Sequence, residues 1–366
     1  MKKLAVLSTL VLMFCINVQA QTDKEIALQK GREAVKLMDS GKIDESIKLL
    51  EEAMKLDPEE SEFPYEMGFA YYLKEDYKTA IKYLKRLEKH KDKKPIHFQL
   101  LGNAYDMDGN QKKAFEAYDK GLKLDPKAGI IYLSKGIVYM KLGKMQEALD
   151  SFEKGIEVNP EFPSNYFWAA KLFCEKTEEE VWGMIYGEIL LNLERNTRRT
   201  QEISKLLYDT YKNEIQFKGD TAASISFSKM NVINLDTSKE GDIEALVNSF
   251  KPPYGMFVYE GTLLKSILDE REINMETLSR IRTRFAKMYD EEHAKRYPNV
   301  LFYYQNELDK LGFSDAYNHW ILKSGDIDQF DKWVNDNPDK WKEFEAWFPI
   351  NYLQTSDDLK FYRLQY

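Results

Sequence analysis

The sequence predicts a mainly all-α chain of stacked helical hairpins, and three observations carry that expectation. The first is a phrase that occurs twice. Residues 98–126 read FQLLGNAYDMDGNQKKAFEAYDKGLKLDP, and residues 132–160 read YLSKGIVYMKLGKMQEALDSFEKGIEVNP. A shift of 34 residues lays Gly102 on Gly136, Tyr105 on Tyr139, Gly109 on Gly143, Ala114 on Ala148 and Pro126 on Pro160. The second is that the period runs backwards. Gly102 steps to Gly68 and Ala34, and Ala114 steps to Ala80 and Ser46. The third is that apolar residues beyond the repeats still recur at helical spacing, as in Leu278, Ile281, Phe285 and Met288.

Each repeated position has a packing reason. A glycine inside a helix costs about 1 kcal/mol relative to alanine, so Gly68, Gly102 and Gly136 imply close approach of two helices. Ala80, Ala114 and Ala148 supply the small surface opposite, while Tyr71, Tyr105, Tyr139, Tyr118 and Phe152 fill the space between hairpins. Gly41, Gly109 and Gly143 fall at the turn between helices, where a positive φ suits glycine. Pro58, Pro126 and Pro160 stop the second helix, and repeat two ends differently, at Lys94-Pro95. A single hairpin leaves an apolar face wet, so neighbours must stack.

With small residues, aromatics and proline at these offsets, the phrases resemble the tetratricopeptide repeat. Four repeats run about 27–60, 61–94, 95–128 and 129–162. A degenerate fifth keeps Ala170 and Phe173 but has Trp182 where a small residue is expected, and ends near Asn196. The resemblance implies an α-α superhelix whose first helices line a concave groove for a protein or peptide partner. Its groove positions fall on Tyr65, Phe69 and Tyr72, then Gln99, Asn103 and Asp106. Leu133, Ile137, Met140 and Lys141 follow, and Phe167 and Lys171 come from the fifth repeat. Some family members clamp a partner's terminal carboxylates with groove Lys and Asn. Here Asn103 is present but Gln99 stands where Lys is wanted, so that specialised mode is not expected.

The ends of the chain differ in kind from the array. Lys2 and Lys3, the apolar run Leu4 to Val18 and the small residues of Val18-Gln19-Ala20 read as a signal peptide over residues 1–20. The run is shorter than the roughly 20 residues a spanning helix needs, so export without a membrane span is expected, to a periplasm or comparable compartment. Cleavage leaves Cys174 as the single cysteine, hence no internal disulfide. Losing Lys2 and Lys3 takes the formal charge from -8 to -10, which argues against nucleic-acid binding.

The array is expected over 21–196 and a mostly helical C-terminal domain over 197–366. Thr200–Lys212 reads as an amphipathic helix. Ala223, Ile225 and Phe227 alternate with serines and then give way to Met230 and Val232 in the opposite phase, a small strand element with a bulge. Met256 to Tyr259 reads either as a second strand or as the start of a helix running through Leu263 and Ile267, with the helix preferred. Further helices follow at Met275–Ala294 and Val300–Leu311, a short hairpin at Phe313–Lys323 and Ile327–Asn335, and a last helix at Asp339–Phe348. Trp341, Phe344 and Trp347 share one face of that helix and read as core.

Chemical signatures are sparse. None of the four histidines (His90, His97, His293, His319) pairs with another at metal-ligand helical spacing, and no phosphate loop or nucleophile elbow occurs. Asp106-Met-Asp108-Gly-Asn110 has its glycine two positions too early for a calcium loop and matches the turn of repeat three. No cofactor is implied and no enzyme is expected. The sequence predicts an exported scaffold that holds a protein or peptide. The alternative is an envelope enzyme or glycan-binding protein whose activity lies in 197–366.

Overall fold

A computed structural model describes residues 22–218, 222–228 and 253–366. The expected signal peptide and the Met230–Val232 phase slip lie outside the described residues. The chain packs as two compact units, one up to Val138 and the other from Tyr139 to Tyr366. The division falls inside the fourth repeat.

The first unit is a stack of hairpins. Helix α1 (22–39) is followed by α2 (Ile43–Leu56), α3 (Glu62–Leu73) and α4 (Tyr77–Leu84), which runs into a 3-10 turn at Lys85–Lys89. Then come α5 (Pro95–Met107), α6 (Gln111–Leu124) and α7 (Gly129–Lys141), whose last turn crosses the division. The glycines admit a close neighbour as expected, but that neighbour is a large side chain of the same hairpin, not Ala80 or Ala114. A Cβ built on Gly102 would enter the ring of Tyr118, and one on Gly68 would enter Leu84. The turn between the helices of repeat three has Gly109 at φ +82°. Its counterpart in repeat two is Glu75, which holds φ 61° in the same left-handed turn.

In the second unit α8 (Met145–Val158), α9 (Pro163–Lys176) and α10 (Glu180–Leu193) complete the repeats. The small residue expected at Trp182 stands one position later. Gly183 packs against the Ala170 carbonyl and Cys174, and α9 is one residue longer than α5 or α7, which accounts for the slip. Helix α11 (Arg198–Glu214) packs on α10 and α9 as the next first helix of a stack would.

Two short strands follow, β1 (Ile215–Lys218) and β2 (Ala222–Ile225), paired antiparallel with Ile215 opposite Ile225. Strand β2 is the element expected from the alternation at Ala223 and Ile225; β1 was not expected, although Ile215 and Phe217 alternate with polar neighbours there. The segment expected to be helical from Met256 starts as a π-turn, Tyr254–Glu260, and continues as α12 (Gly261–Ser266). Helices α13 (Met275–Glu292), α14 (Val300–Lys310), α15 (Ser314–Leu322), α16 (Ile327–Asp336) and α17 (Pro338–Asn351) fill the rest.

Helix α10 is the hub of this unit. Every residue from Val181 to Asn192 is buried, including the charged Glu188. A buried carboxylate needs a paired charge and full hydrogen bonding. Arg282 of α13 supplies the charge at 2.7 Å, and Gln305 of α14 donates to the same oxygen at 2.6 Å. The guanidinium also donates to Asn318 and to the Tyr211 hydroxyl, so four other elements converge on one helix. Asn192 adds a bond to the Tyr317 hydroxyl at 2.8 Å.

Candidate functional site

In the first unit the candidate surface comes from the first helices of the hairpins. The second helices, α2, α4 and α6, are apolar on one side only, whereas α3 and α5 have buried or half-buried residues on nearly every side, polar ones on α5 included. A helix of the latter kind needs cover on every side. On α3, Met67, Gly68 and Ala70 face the neighbouring helices and are buried. Tyr65, Phe69 and Tyr72, on another face of α3, stay half-buried. Tyr65 lies 5.4 Å from the His97 ring, and Tyr72 meets Tyr77 edge-on at 5.5 Å.

The polar middle of the surface is partly committed. Gln99 donates through Nε2 to Ser134 Oγ at 2.9 Å, and the Tyr118 hydroxyl donates to Asn103 Oδ1 at 2.8 Å. These bonds leave Gln99 Oε1 as an acceptor and Asn103 Nδ2 as a donor, neither bonded among the described residues. The two amides are four residues apart on α5, one turn of helix. One acceptor beside one donor is what a peptide backbone requires. Asp106 is buried on the same helix, and Leu133 and Ile137 are half-buried on α7.

The electrostatics here are acidic. Burial, then the charges of Glu62 and Asp39, push the Glu66 carboxyl up to about 7. Burial, then Glu66 and Glu62, push the Tyr65 phenol up to about 12. Glu62 itself is paired with Lys94.

The remaining predicted positions belong to the second unit and are treated differently by it. Met140 is half-buried and Lys141 is exposed. Phe167 is buried, with the cations of Lys171 and Arg199 over its ring at 5.6 and 5.3 Å. Lys171 is paired with Glu202 of α11. Phe167 and Lys171 therefore come together, but against the chain's own α11. Cys174 packs against Gly183, and burial pushes its thiol well above the usual range.

A second candidate was not visible in the sequence. A cleft of about 720 Å³ opens between α13, α15 and α16. Asp315 organises it: its carboxylate accepts from Ser279 Oγ at 2.8 Å and Trp333 Nε1 at 3.1 Å, with His319 Nδ1 at 3.2 Å. Burial raises the Asp315 pKa, but the bonds from His319 and Ser279 outweigh it and hold the carboxyl below its usual range. His319 stacks on Trp333 at 4.3 Å, and Arg280 and Arg284 on the facing helix share Glu270. Asp315 and His319 lie four apart on a helix and so share a face, a relation visible in the sequence. Nothing links them in sequence to Ser279 or Trp333. Among the described residues no group of three or more His, Cys, Asp or Glu could hold a metal, and no helix is long and apolar enough to cross a membrane.

Stacked antiparallel hairpins with a half-buried first-helix face define a helical-repeat protein. Family models described as tetratricopeptide repeat match residues 37–104, 98–127 and 130–162. Residues 37–162 of the chain are thus tetratricopeptide repeats.

Among solved structures, pilF of Pseudomonas aeruginosa is similar at 15% identity, covering 52% of this chain and 86% of that one, TM-score 0.44. A thermophilic repeat protein of Thermus thermophilus is 18% identical over 50% of this chain and 98% of its own, TM-score 0.42. A tetratricopeptide repeat protein of Parabacteroides merdae is 14% identical, covering 82% of this chain and 99% of that one, TM-score 0.35. No curated protein matches the chain.

Proposed function

We propose that the chain is an exported scaffold that holds an extended segment of another protein on the first-helix face of its first unit. The single observation that carries this reading is the combination on α3 and α5. A half-buried aromatic row, Tyr65, Phe69 and Tyr72, lies with an unbonded acceptor on Gln99 and an unbonded donor on Asn103. Aromatic side chains anchor partners, and the amide pair can meet a backbone N–H and C=O. The acidic surroundings, with Asp39, Glu62, Glu66 and Asp106, favour a partner segment carrying Lys or Arg. The signal-like composition of residues 1–20 supports export to an envelope location, and the mature chain would begin at Gln21, which an intact mass reads directly.

The cleft built on Asp315 favours a second reading, in which the C-terminal region binds a glycan or acts on a substrate. One experiment separates the two. Purified full-length protein is used to capture partners from an envelope extract and, in parallel, is bound to peptidoglycan. Loss of a captured protein on Tyr65→Ala with Phe69→Ala, and its retention on Trp333→Ala, is expected. Retention by the double variant, with peptidoglycan binding lost on Trp333→Ala, would transfer the function to the cleft.

A further inference from the structure

Residues 352–366 follow α17 with no helix or strand apart from a 3-10 turn at Arg363–Gln365, yet they are seated on repeat helices of the same unit. The Thr355 hydroxyl donates to the Pro160 carbonyl at 2.6 Å, and Lys360 Nζ to the Glu157 carbonyl at 2.8 Å. Phe361 is fully buried between Trp182 and Tyr186, with ring centroids at 6.1 and 5.8 Å. Two residues on, Arg363 grips Glu153 through Nε at 3.0 and 3.1 Å and through Nη2 at 2.6 Å. Tyr366 stacks on Tyr254 at 4.7 Å and 5°.

The chemistry on the receiving side is that of a peptide site. The Glu153 carboxylate is 2% exposed on α8, and besides Arg363 its bonded partner is the neutral Tyr186 hydroxyl at 2.7 Å. A carboxylate buried with one neutral donor is unfavourable until a cation joins it. The helices around it offer aromatic rings, and the guanidinium that completes it arrives on an irregular segment and lies 5.5 Å over Phe173. The spacing is Phe, then Arg at the second position after it, then Tyr at the fifth. Between Asn351 and Phe361 the chain exposes Gln354, Asp357, Asp358 and Leu359, and its nine residues 352–360 can span roughly 30 Å when extended.

We infer that Glu153, Trp182, Tyr186 and Tyr254 form a receptor for a Phe-x-Arg-x-x-Tyr segment. The chain's own residues 361–366 fill it, and the same segment of a second copy can take their place. Exchange of an identical element between copies creates no new kind of contact, so it needs only release and a linker of sufficient reach.

The test uses two full-length variants. One carries Glu153→Gln and keeps its segment. The other carries Phe361→Ala with Arg363→Ala and keeps its receptor. Each is expected to be monomeric alone in light scattering, and their mixture to form a heterodimer. A labelled peptide of residues 352–366 is expected to bind the segment variant at least tenfold more tightly than it binds the unmodified chain. Folded variants that give neither heterodimer nor peptide binding overturn the proposal. Should a variant fail to fold, hydrogen exchange on the unmodified chain decides. Amides of 352–366 that open well before the helices beneath them support exchange, and amides that open only on global unfolding refute it.

Discussion

The two units solve the same packing problem by different means. Up to Val138 the helices are held by a repeated small-to-large fit, seen in Gly68 against Leu84 and Gly102 against Tyr118. From Tyr139 onward the helices are also pinned by buried polar contacts that occur once each. Glu188 with Arg282 joins residues 94 apart, Asn192 with Tyr317 125 apart, and Glu153 with Arg363 210 apart. A repeated interface distributes stability among neighbours, so each hairpin depends chiefly on the next. Single long-range nodes concentrate it, because removing one partner strands the other in a low-dielectric interior. Local opening is therefore expected in the first unit, and collective opening in the second.

The largest effect should come from breaking the hub. Arg282→Met leaves Glu188 buried without its cation and should cost about 3–5 kcal/mol, read by denaturant unfolding. Replacing both partners, Glu188→Leu with Arg282→Met, should recover much of that loss. A single variant as stable as the parent would remove the hub from this account.

A smaller cost is expected inside the repeats. Gly102→Val places two methyl groups against the Tyr118 ring and should destabilise by ~1–3 kcal/mol. Its effect should stay with the hairpins around α5 and α6, so proteolysis should nick that region first. Nicking that starts elsewhere would show the repeats to be more tightly coupled than this.

The mildest effect concerns pH. The folded Glu66 carboxyl titrates near 7, above its ordinary 4.5, so between those values the folded state binds more protons than the unfolded one. Its contribution to stability is thus fully present below about 4.5 and is lost as pH rises through about 7. Glu66→Gln should be stabilising at pH 8, on the order of 1 kcal/mol after solvent screening, and nearly neutral at pH 4. Equal effects at both pH values would place the carboxyl in ordinary water.

The contrast also explains what could be read from the sequence. Gly68, Gly102 and Gly109 announced themselves because the same physical demand recurs every 34 residues. The aromatic row on α3 was named only through the resemblance to the repeat family, which implies groove positions that the period alone does not mark. The slip from Trp182 to Gly183 needed only one extra residue in α9, too small a change for a period to register. The Asp315 cleft and the Glu153 site were not legible. Their members lie far apart in the chain, and no pattern relates Ser279 to Trp333 or Glu153 to Arg363. Such pairs are fixed by tertiary packing alone. Phe167 shows the reverse failure: it was expected on a groove, but it is buried, with Arg199 of α11 over its ring.

Native-state hydrogen exchange tests the contrast most directly. In the first unit, protection should step down hairpin by hairpin, with distinct opening free energies for α1–α2, α3–α4 and α5–α6. In the second, α10, α13, α14 and α15 should share one opening free energy that falls together on Arg282→Met. One common value across both units, or separate values for α10 and α13, would contradict the account.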